Sequence, residues 1–293
     1  MPRKKKSTLE IIIVNYNAQF WLKKTLISLK KFYLDRAYHQ VNVTVVDNAS
    51  DDDSATLVKR NFRWAQLIQA HKNLGFASAN NIALKRTKAD YVMLLNSDVE
   101  FTTDSNLDEL IDYLNKHPKV GVITPKIIFS DQSIDPACHR GEPTPWASLS
   151  YFLKLEALLP QTKLFGQYHQ GYKNLNQVHQ VDAVSGAAMV VRKKAMNQVG
   201  LLDERFFMYA EDLDWCFRFR QKGWQVIFYP QVNLIHHKYK SGLKNTSQAI
   251  ARNTRKHFYD TMLQYYDKHY AHRYPKWVRG LIHVFITTKK GAL

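Results

Sequence analysis

Carboxylates and amides gather at three points of this 293-residue chain where apolar runs end. Residues 9–14 (LEIIIV) lead into Asn15-Tyr16-Asn17, residues 41–46 (VNVTVV) into Asp47-Asn48-Ala49-Ser50, and residues 91–95 (YVMLL) into Asn96-Ser97-Asp98. An Asp that closes a strand can accept from a base N–H or a ribose hydroxyl, the role expected of Asp47. An Asp beside a dry strand is a hard oxygen ligand, suited at Asp98 to Mg²⁺ or Mn²⁺ bridging two phosphates. Such an ion would neutralise charge developing on a leaving diphosphate. Taken singly, each residue also serves as a turn former, or in the case of Ser50 as the N-cap of a helix over 51–61. Together, at equivalent strand ends, they form one rim.

A second concentration lies at 206–218 (FFMYAEDLDWCFR), where Glu211, Asp212 and Asp214 stand among aromatic residues. A helix macrodipole favours an acid in the first turn by less than about 1 kcal/mol, which accounts for one acid better than for three. Asp214 and Arg218 read as a structural i, i+4 pair. Gly186, in 184–192 (VSGAAMVVR), reads as a close approach beside a sugar or acceptor, or as a strand bulge. His236-His237 follows a strand over 225–229, and the other ten histidines show no metal spacing. No G-x-G-x-x-G follows the first strand and no G-x-x-x-x-G-K-[ST] occurs, so the dinucleotide and P-loop modes are excluded.

The elements that position these residues alternate. Helical spacing over 18–32, 76–87 and 106–116 separates the β-branched runs, with a weak strand at 65–69. Pro125 inside the strand over 120–129 marks an edge or a bulge. Such alternation predicts an α/β fold with a mostly parallel sheet, in which ligands bind beyond the carboxyl ends of the strands. Residues 130–180 are the least periodic, with a short amphipathic helix expected over 147–159.

The 42 Lys and Arg against 25 Asp and Glu leave a formal charge of +17. The excess lies in residues 3–6 and in 238–293, where 12 basic residues face only Asp260 and Asp267, so the body is nearly neutral. A nucleic-acid reader puts basic residues along its recognition surface, so no nucleic-acid partner is expected. Cys138 and Cys216 exclude a disulfide scaffold and read as reduced thiols. Neither a secretory leader nor an apolar run long enough to span a membrane is present, so neither is expected.

The ordered set I-V-N-Y-N at 13–17, V-V-D-N-A-S at 45–50, N-L-G-F-A-S-A-N-N at 73–81, L-L-N-S-D-V at 94–99, V-S-G-A-A-M-V-V-R at 184–192 and the segment 206–218 resembles the family 2 glycosyltransferases. The likeness is strongest to their bacterial rhamnosyltransferase-like branch. It implies a GT-A fold (α/β, Rossmann-like, a mostly parallel central sheet flanked by helices) with a C-terminal helical extension. The implied layout is a basic disordered arm at 1–8, a transferase domain at 9–240 and a basic aromatic helical tail at 241–293. Within the domain, 9–129 would be the nucleotide-sugar half and 130–240 the acceptor half. Donor contacts are implied for Val14, Asn15 and Asn17, for Asp47 on the pyrimidine with Asn48 and Ser50 nearby, and for Asn73, Gly75 and Asn80 at the ribose and diphosphate. Ser97 and Gly186 complete that set. Asp98 matches the family's metal-binding aspartate, with Asn96 in place of the first acid, and His237 is the expected second metal neighbour. Asp212 is the expected general base, and Glu211 an acceptor binder or support.

The resemblance further implies transfer of a sugar, rhamnose from dTDP-rhamnose or a hexose from a UDP-sugar, using Mg²⁺ or Mn²⁺. The acceptor would be a hydroxyl of a glycan or lipid-linked saccharide in cell-envelope polysaccharide synthesis. Attack assisted by one base, opposite the leaving diphosphate, passes through an oxocarbenium-like state and inverts the anomeric centre. A nucleotidyltransferase on the same sheet would use the rim but not the Glu211-Asp212 pair. Residues 246–272 and 276–290 read as helices. A stripe of Trp277, Val278, Leu281, Ile282, Phe285 and Ile286, flanked by bases, suits an anionic membrane surface along 274–290, the protein body, or the partner in a homodimer. The expected location is cytoplasmic, peripheral on the cytoplasmic face of the membrane.

Overall fold

The computed structural model describes residues 6–237 and 248–291, with side chains in the second stretch from 256 to 290. Residues 1–5 of the expected arm, residues 238–247 where domain and tail are expected to meet, and the Ile250 side chain lie outside the described residues.

Nine strands make one sheet: β1 (Thr8–Asn15), β2 (Gln40–Asp47), β3 (Gln66–Gln69), β4 (Tyr91–Asn96), β5 (Val99–Glu100), β6 (Val120–Ile128), β7 (His179–Gln180), β8 (Ala188–Arg192) and β9 (Gln225–His236). Around them lie α1 (Gln19–Phe32), α2 (Ser54–Asn61), α3 (Gly75–Leu84), α4 (Leu107–Lys116), α5 (Pro145–Phe152), α6 (Leu155–Leu158), α7 (Lys193–Val199), α8 (Glu211–Gln221), α9 (Gln248–His269) and α10 (Lys276–Gly291). The strand order is β3-β2-β1-β4-β8-β6-β9-β5, with β7 also on β9. Leu9, Ile11, Ile12 and Ile13 are fully buried, as a strand covered on both faces requires. Leu22, Leu26 and Leu29 put one stripe of α1 into the same core. Asn106 caps α4 by accepting from Asp108 N at 3.2 Å, turning Leu107, Leu110, Ile111 and Leu114 inward.

The parallel expectation holds for β3-β2-β1-β4, where Asn15 lies level with Asp47, and Val14 with Asn96. Beyond β4 the sheet is mixed. The chain leaves the carboxyl end of β6, crosses that end of the sheet through residues 129–187, and re-enters beside Leu95. β8 therefore runs antiparallel to both β4 and β6.

Several local expectations are corrected. Ser7 is buried and Thr8 already pairs with Gln40, so the fold begins inside the expected arm. The helix after β2 starts at Ser54, because Asp52 spends its carboxylate on the backbone N–H groups of Gln19 and Ser54. Of the two readings of Pro125, the edge is excluded and the bulge holds: in an interior strand it pairs with Tyr229 while Lys126 pairs with Asn233. The segment 147–159 is two short helices, broken at Lys154 in left-handed backbone (φ 60°). β9 continues seven residues past Tyr229 to take in His236. Cys138 and Cys216 are free and buried, and burial raises both thiols to about 12.

Candidate active site

The carboxyl ends of β1, β2 and β4 lie at the point where the strand order reverses, the place where open α/β sheets take ligands. Asn15 Nδ2 lies 3.4 Å from Asp47 Oδ1 and 3.3 Å from Ser50 Oγ. Asn17 N donates to Ser50 Oγ at 3.0 Å, and Ser50 N to Asp47 Oδ2 at 3.2 Å. Asn17 and Ala49 adopt left-handed backbone (φ 50° and 62°), closing the two turns on each other. Ser50 is thus a brace across the rim, not the expected helix cap.

Asn48 ties the loop before α3 to this rim. It donates to Asn73 Oδ1 and accepts from Leu74 N, both at 2.9 Å. Gly75 (φ +78°) is required by a close approach to protein, since a Cβ there would lie 2.3 Å from the Phe207 carbonyl oxygen. Phe76 N donates to the same oxygen at 2.8 Å, so the glycine admits the loop leading to α8. Asn80 donates to Phe76 O at 2.9 Å. The side-chain oxygens of Asn80 and Asn15 are buried without a partner among the described residues. Buried amide oxygens of this kind cost free energy until a ligand or water donates to them. Val14 is half-buried beside them, and the Ser97 carbonyl is held by Thr25 Oγ1 at 2.8 Å.

Past β4 the chain turns through Asp98 into β5, which pairs with the end of β9. Here the expected histidine is replaced by its neighbour. His236 Nε2 lies 3.3 Å from Asp98 Oδ1. The His237 ring instead meets Glu100 Oε2 at 2.7 Å and Ser130 Oγ at 3.0 Å, and stacks on Trp21. Because β9 extends to His236, alternation along the strand sends the two rings to opposite sides. His236 Nδ1 lies 2.9 Å from Asp135 Oδ2, a buried carboxylate in the aperiodic region. Burial opposes charge on His236, but hydrogen bonds to Asp135 and Asp98 outweigh it and push the imidazole up to about 9.

Among the described residues no group of three or more His, Cys, Asp or Glu is arranged to hold a metal ion. Asp98 and His236 would nevertheless suit a divalent ion that displaces the imidazole proton on binding. Asp98 offers a hard oxygen, and His236 offers a nitrogen whose ring is oriented through its other nitrogen by a carboxylate.

The facing side of the site is built at the start of α8. Tyr209 and Ala210 both take left-handed backbone (φ 72° and 65°), a corner that costs about 1–2 kcal/mol per residue. It brings Asp212 to Gly186. Asp212 Oδ2 accepts from Arg140 Nη2 at 2.6 Å and from Gly186 N at 3.2 Å, while Oδ1 accepts from Leu213 N at 2.7 Å. A carboxylate has about four acceptor positions, so one on Oδ1 remains for a substrate hydroxyl. A Cβ on Gly186 would lie 3.0 Å from Phe76 Cε1 and 4.0 Å from Asp212 Cβ, so this glycine makes room for Asp212 and for Phe76. Burial works against the charge on Arg140, but Asp212 more than offsets it.

Glu211 behaves oppositely. Burial and the adjacent Asp212 raise its carboxyl to about 8, and its Oε2 has no partner among the described residues. The raised Glu211 carboxyl is therefore biased at pH 7 toward the neutral form that donates a hydrogen bond. Asp214 pairs with Arg218 at 2.8 Å as expected, and also receives Lys268 and His269 from α9. Burial opposes its charge, but His269, Arg218 and Lys268 hold it below the usual range. Phe206, Ala210, Tyr265, Tyr266 and Tyr270 form a second small core that fastens α9 to the loop before α8 and to α8 itself.

A reversing sheet with its polar rim, a buried Asp-His pair and a clamped acid on a facing helix defines the GT-A class of glycosyltransferase. Two solved structures share the fold. One is the mannosyltransferase PcManGT of Pyrobaculum calidifontis with GDP-Man and Mn²⁺ (TM-score 0.60, 17% identity, 97% of this chain and 70% of that one). The other is GalNAc-T7 with UDP, GalNAc and Mn²⁺ (TM-score 0.58, 14% identity), which matches 80% of this chain while the chain spans 44% of that protein's length. Residues 10–194 match the model of glycosyl transferase family 2, and the chain belongs to that family. It is 26% identical over 254 residues to the N-acetylglucosaminyl-diphospho-decaprenol L-rhamnosyltransferase of Mycobacterium tuberculosis H37Rv, covering 83% of this chain and 80% of that one. The protein is a glycosyltransferase of glycan synthesis, rhamnosyltransferase-like in sequence.

Proposed function

We propose that this enzyme transfers a sugar, with inversion, from a nucleoside diphosphate donor to a hydroxyl of a lipid-linked saccharide. The first donor to test is dTDP-rhamnose, with UDP-hexoses next, because thymine and uracil present the same edge to Asp47. The observation that carries the reading is Asp212, clamped by Arg140 and Gly186 with one acceptor position unused.

The acceptor hydroxyl donates to Asp212 Oδ1, which takes the proton as the new bond forms. Arg140 keeps the carboxylate in one orientation through that step. Glu211, neutral at pH 7, donates to an acceptor oxygen and so orients the incoming sugar. Asn15 and Asn80 offer their unpartnered oxygens to donor hydroxyl or base N–H groups, with Asp47 beside Asn15. Asp98 and His236 would hold Mg²⁺ or Mn²⁺, which when bound supplies positive charge to the departing diphosphate.

The test is a panel of nucleotide sugars with Mg²⁺ or Mn²⁺ and a polyprenyl-diphosphate-linked acceptor, scored for nucleoside diphosphate release and for the anomeric configuration of the product by NMR. Release from a dTDP- or UDP-sugar with an inverted product is expected. A retained configuration would overturn the single-base reading, and release only from a purine donor would overturn the base assignment.

A further inference from the structure

We propose that α10 and the α5–α6 insertion together form a two-part surface that docks on an anionic lipid bilayer. This rests on the lipid-linked acceptor reading above and extends the membrane surface expected of 274–290 to a second element distant in sequence. Ile282 and Ile286 of α10 face the body, and Ile286 is buried. The adjoining face carries Trp277, Leu281 and Val284 at i, i+4 and i+7, with Trp277 67% and Val284 66% exposed. Between these two faces, Phe285 meets Phe152 of α5, ring centroids 5.2 Å apart.

The exposed stripe of α10 thus adjoins the insertion. There, Leu149, Leu153, Leu159 and Leu164 are exposed, and Leu158 is 75% exposed. Leu149 stands three residues before Phe152 in α5 and Leu153 caps the helix directly after it, so both adjoin the residue that meets Phe285. Large apolar side chains in this number, open to solvent on two touching elements, mark an interaction surface.

Charge selects the occupant. Lys154 and Lys163 are exposed in the insertion, and Lys276 and Lys289 in α10. The acids that could oppose them are already engaged. Glu156, the only acid between 143 and 173, is buried and holds His169, Asp267 pairs with Arg279 at 2.7 Å, and Asp260 pairs with Lys290. Leucine and tryptophan beside lysines that no acid offsets fit the headgroup and acyl boundary of an anionic membrane. The insertion is joined directly to the active site, since Arg140 stands just before it and Gly141 N donates to Tyr168 O at 2.7 Å. A bilayer bound there would bring a lipid-linked acceptor to the side from which Arg140 holds Asp212.

The test is co-flotation of the full chain with vesicles of phosphatidylcholine alone and of phosphatidylcholine with phosphatidylglycerol. Two pairs of exposed residues are changed, L158Q with L164Q and W277S with L281Q, and thermal unfolding checks that each variant is folded. The wild-type chain should float with the anionic vesicles, and each pair of changes should lower partitioning about tenfold. Nucleoside diphosphate release with a water-soluble acceptor should be unchanged in both variants. An insertion variant that floats like wild type overturns the two-part surface. So does a wild-type chain that stays unbound, or one that forms a dimer which both variants dissolve. Wild-type flotation without transfer to any lipid-linked acceptor supports the surface and removes the acceptor reading alone.

Discussion

Arg140 Nη2 and Asp212 Oδ2 lie 2.6 Å apart, both buried, and join the aperiodic middle of the chain to the first turn of α8. The pair gives one side chain two duties, because Arg140 also donates to Val184 O at 3.0 Å beside Gly186. Removing Arg140 leaves an uncompensated buried carboxylate, so R140M should lose about 3 kcal/mol of stability along with transfer. The loss should shrink in the R140M/D212N double variant, as a cycle of urea unfolding curves will read. Additive losses would mean the two residues are not energetically joined.

Asp212→Asn keeps the shape of the side chain and removes its capacity to take a proton. Transfer should fall by about 10²–10⁴-fold, while nucleotide-sugar affinity, read by calorimetry, stays within a few-fold. Full activity in this variant would transfer the base role elsewhere.

Glu211 has its carboxyl raised from 4.5 to about 8, so the folded protein holds a proton that the unfolded chain releases between those values. Its contribution to stability is therefore complete below about pH 4.5 and is lost as pH rises through about 8. Relative to E211Q, the wild-type protein should lose stability across that window, by at most about 1.4 kcal/mol per pH unit. Denaturation curves at several pH values check this, and parallel curves for the two proteins would show that Glu211 is ionised in the fold.

The two adjacent histidines should separate cleanly. H236A removes the nitrogen beside Asp98 and, like D98A, should abolish the response of activity to added Mn²⁺. H237A disturbs the Trp21 and Glu100 contacts and should leave the Mn²⁺ titration midpoint unchanged, even if the chain is less stable. EDTA should silence the wild-type enzyme, with Mn²⁺ restoring it.

Asp214 anchors α9, and its carboxyl is held below the ordinary range by His269, Arg218 and Lys268 despite burial. That stability is present above the unfolded carboxyl pKa and is lost as pH falls. D214N should lower the melting temperature most at neutral pH and least in acid, and it should increase protease cleavage in α9.

The half of the site on β1, β2 and β4 is legible in the residues themselves. A buried strand must end, and Asn15, Asp47 and Asp98 stand where three of them do. The parallel register then sets Asn15 beside Asp47 without further information. The half that faces it is less legible, because Asp135 and Arg140 come from a stretch with no period. Their partners His236 and Asp212 are 101 and 72 residues away, respectively. The only local sign of Asp135 is that it precedes Pro136 and caps a short turn by accepting from Ala137 N at 3.0 Å. The choice between His236 and His237 depended on where β9 stops, and strand ends are set by pairing with β5 and not by composition. Gly186 is recognisable as a close approach, yet what approaches it is protein, Phe76 and Asp212, and Gly75 likewise makes room for Phe207.

The clasp of Lys268 and His269 on Asp214 carries a consequence for synthesis on the ribosome. The strands that supply Asn15, Asp47 and Asp98 emerge early and can pair among themselves. The helix bearing Glu211 and Asp212 has its outer wall in α9, which emerges after it. In a nascent chain the rim on β1, β2 and β4 will therefore assemble before Asp212 is fixed, and the first turn of α8 will set only when α9 reaches it.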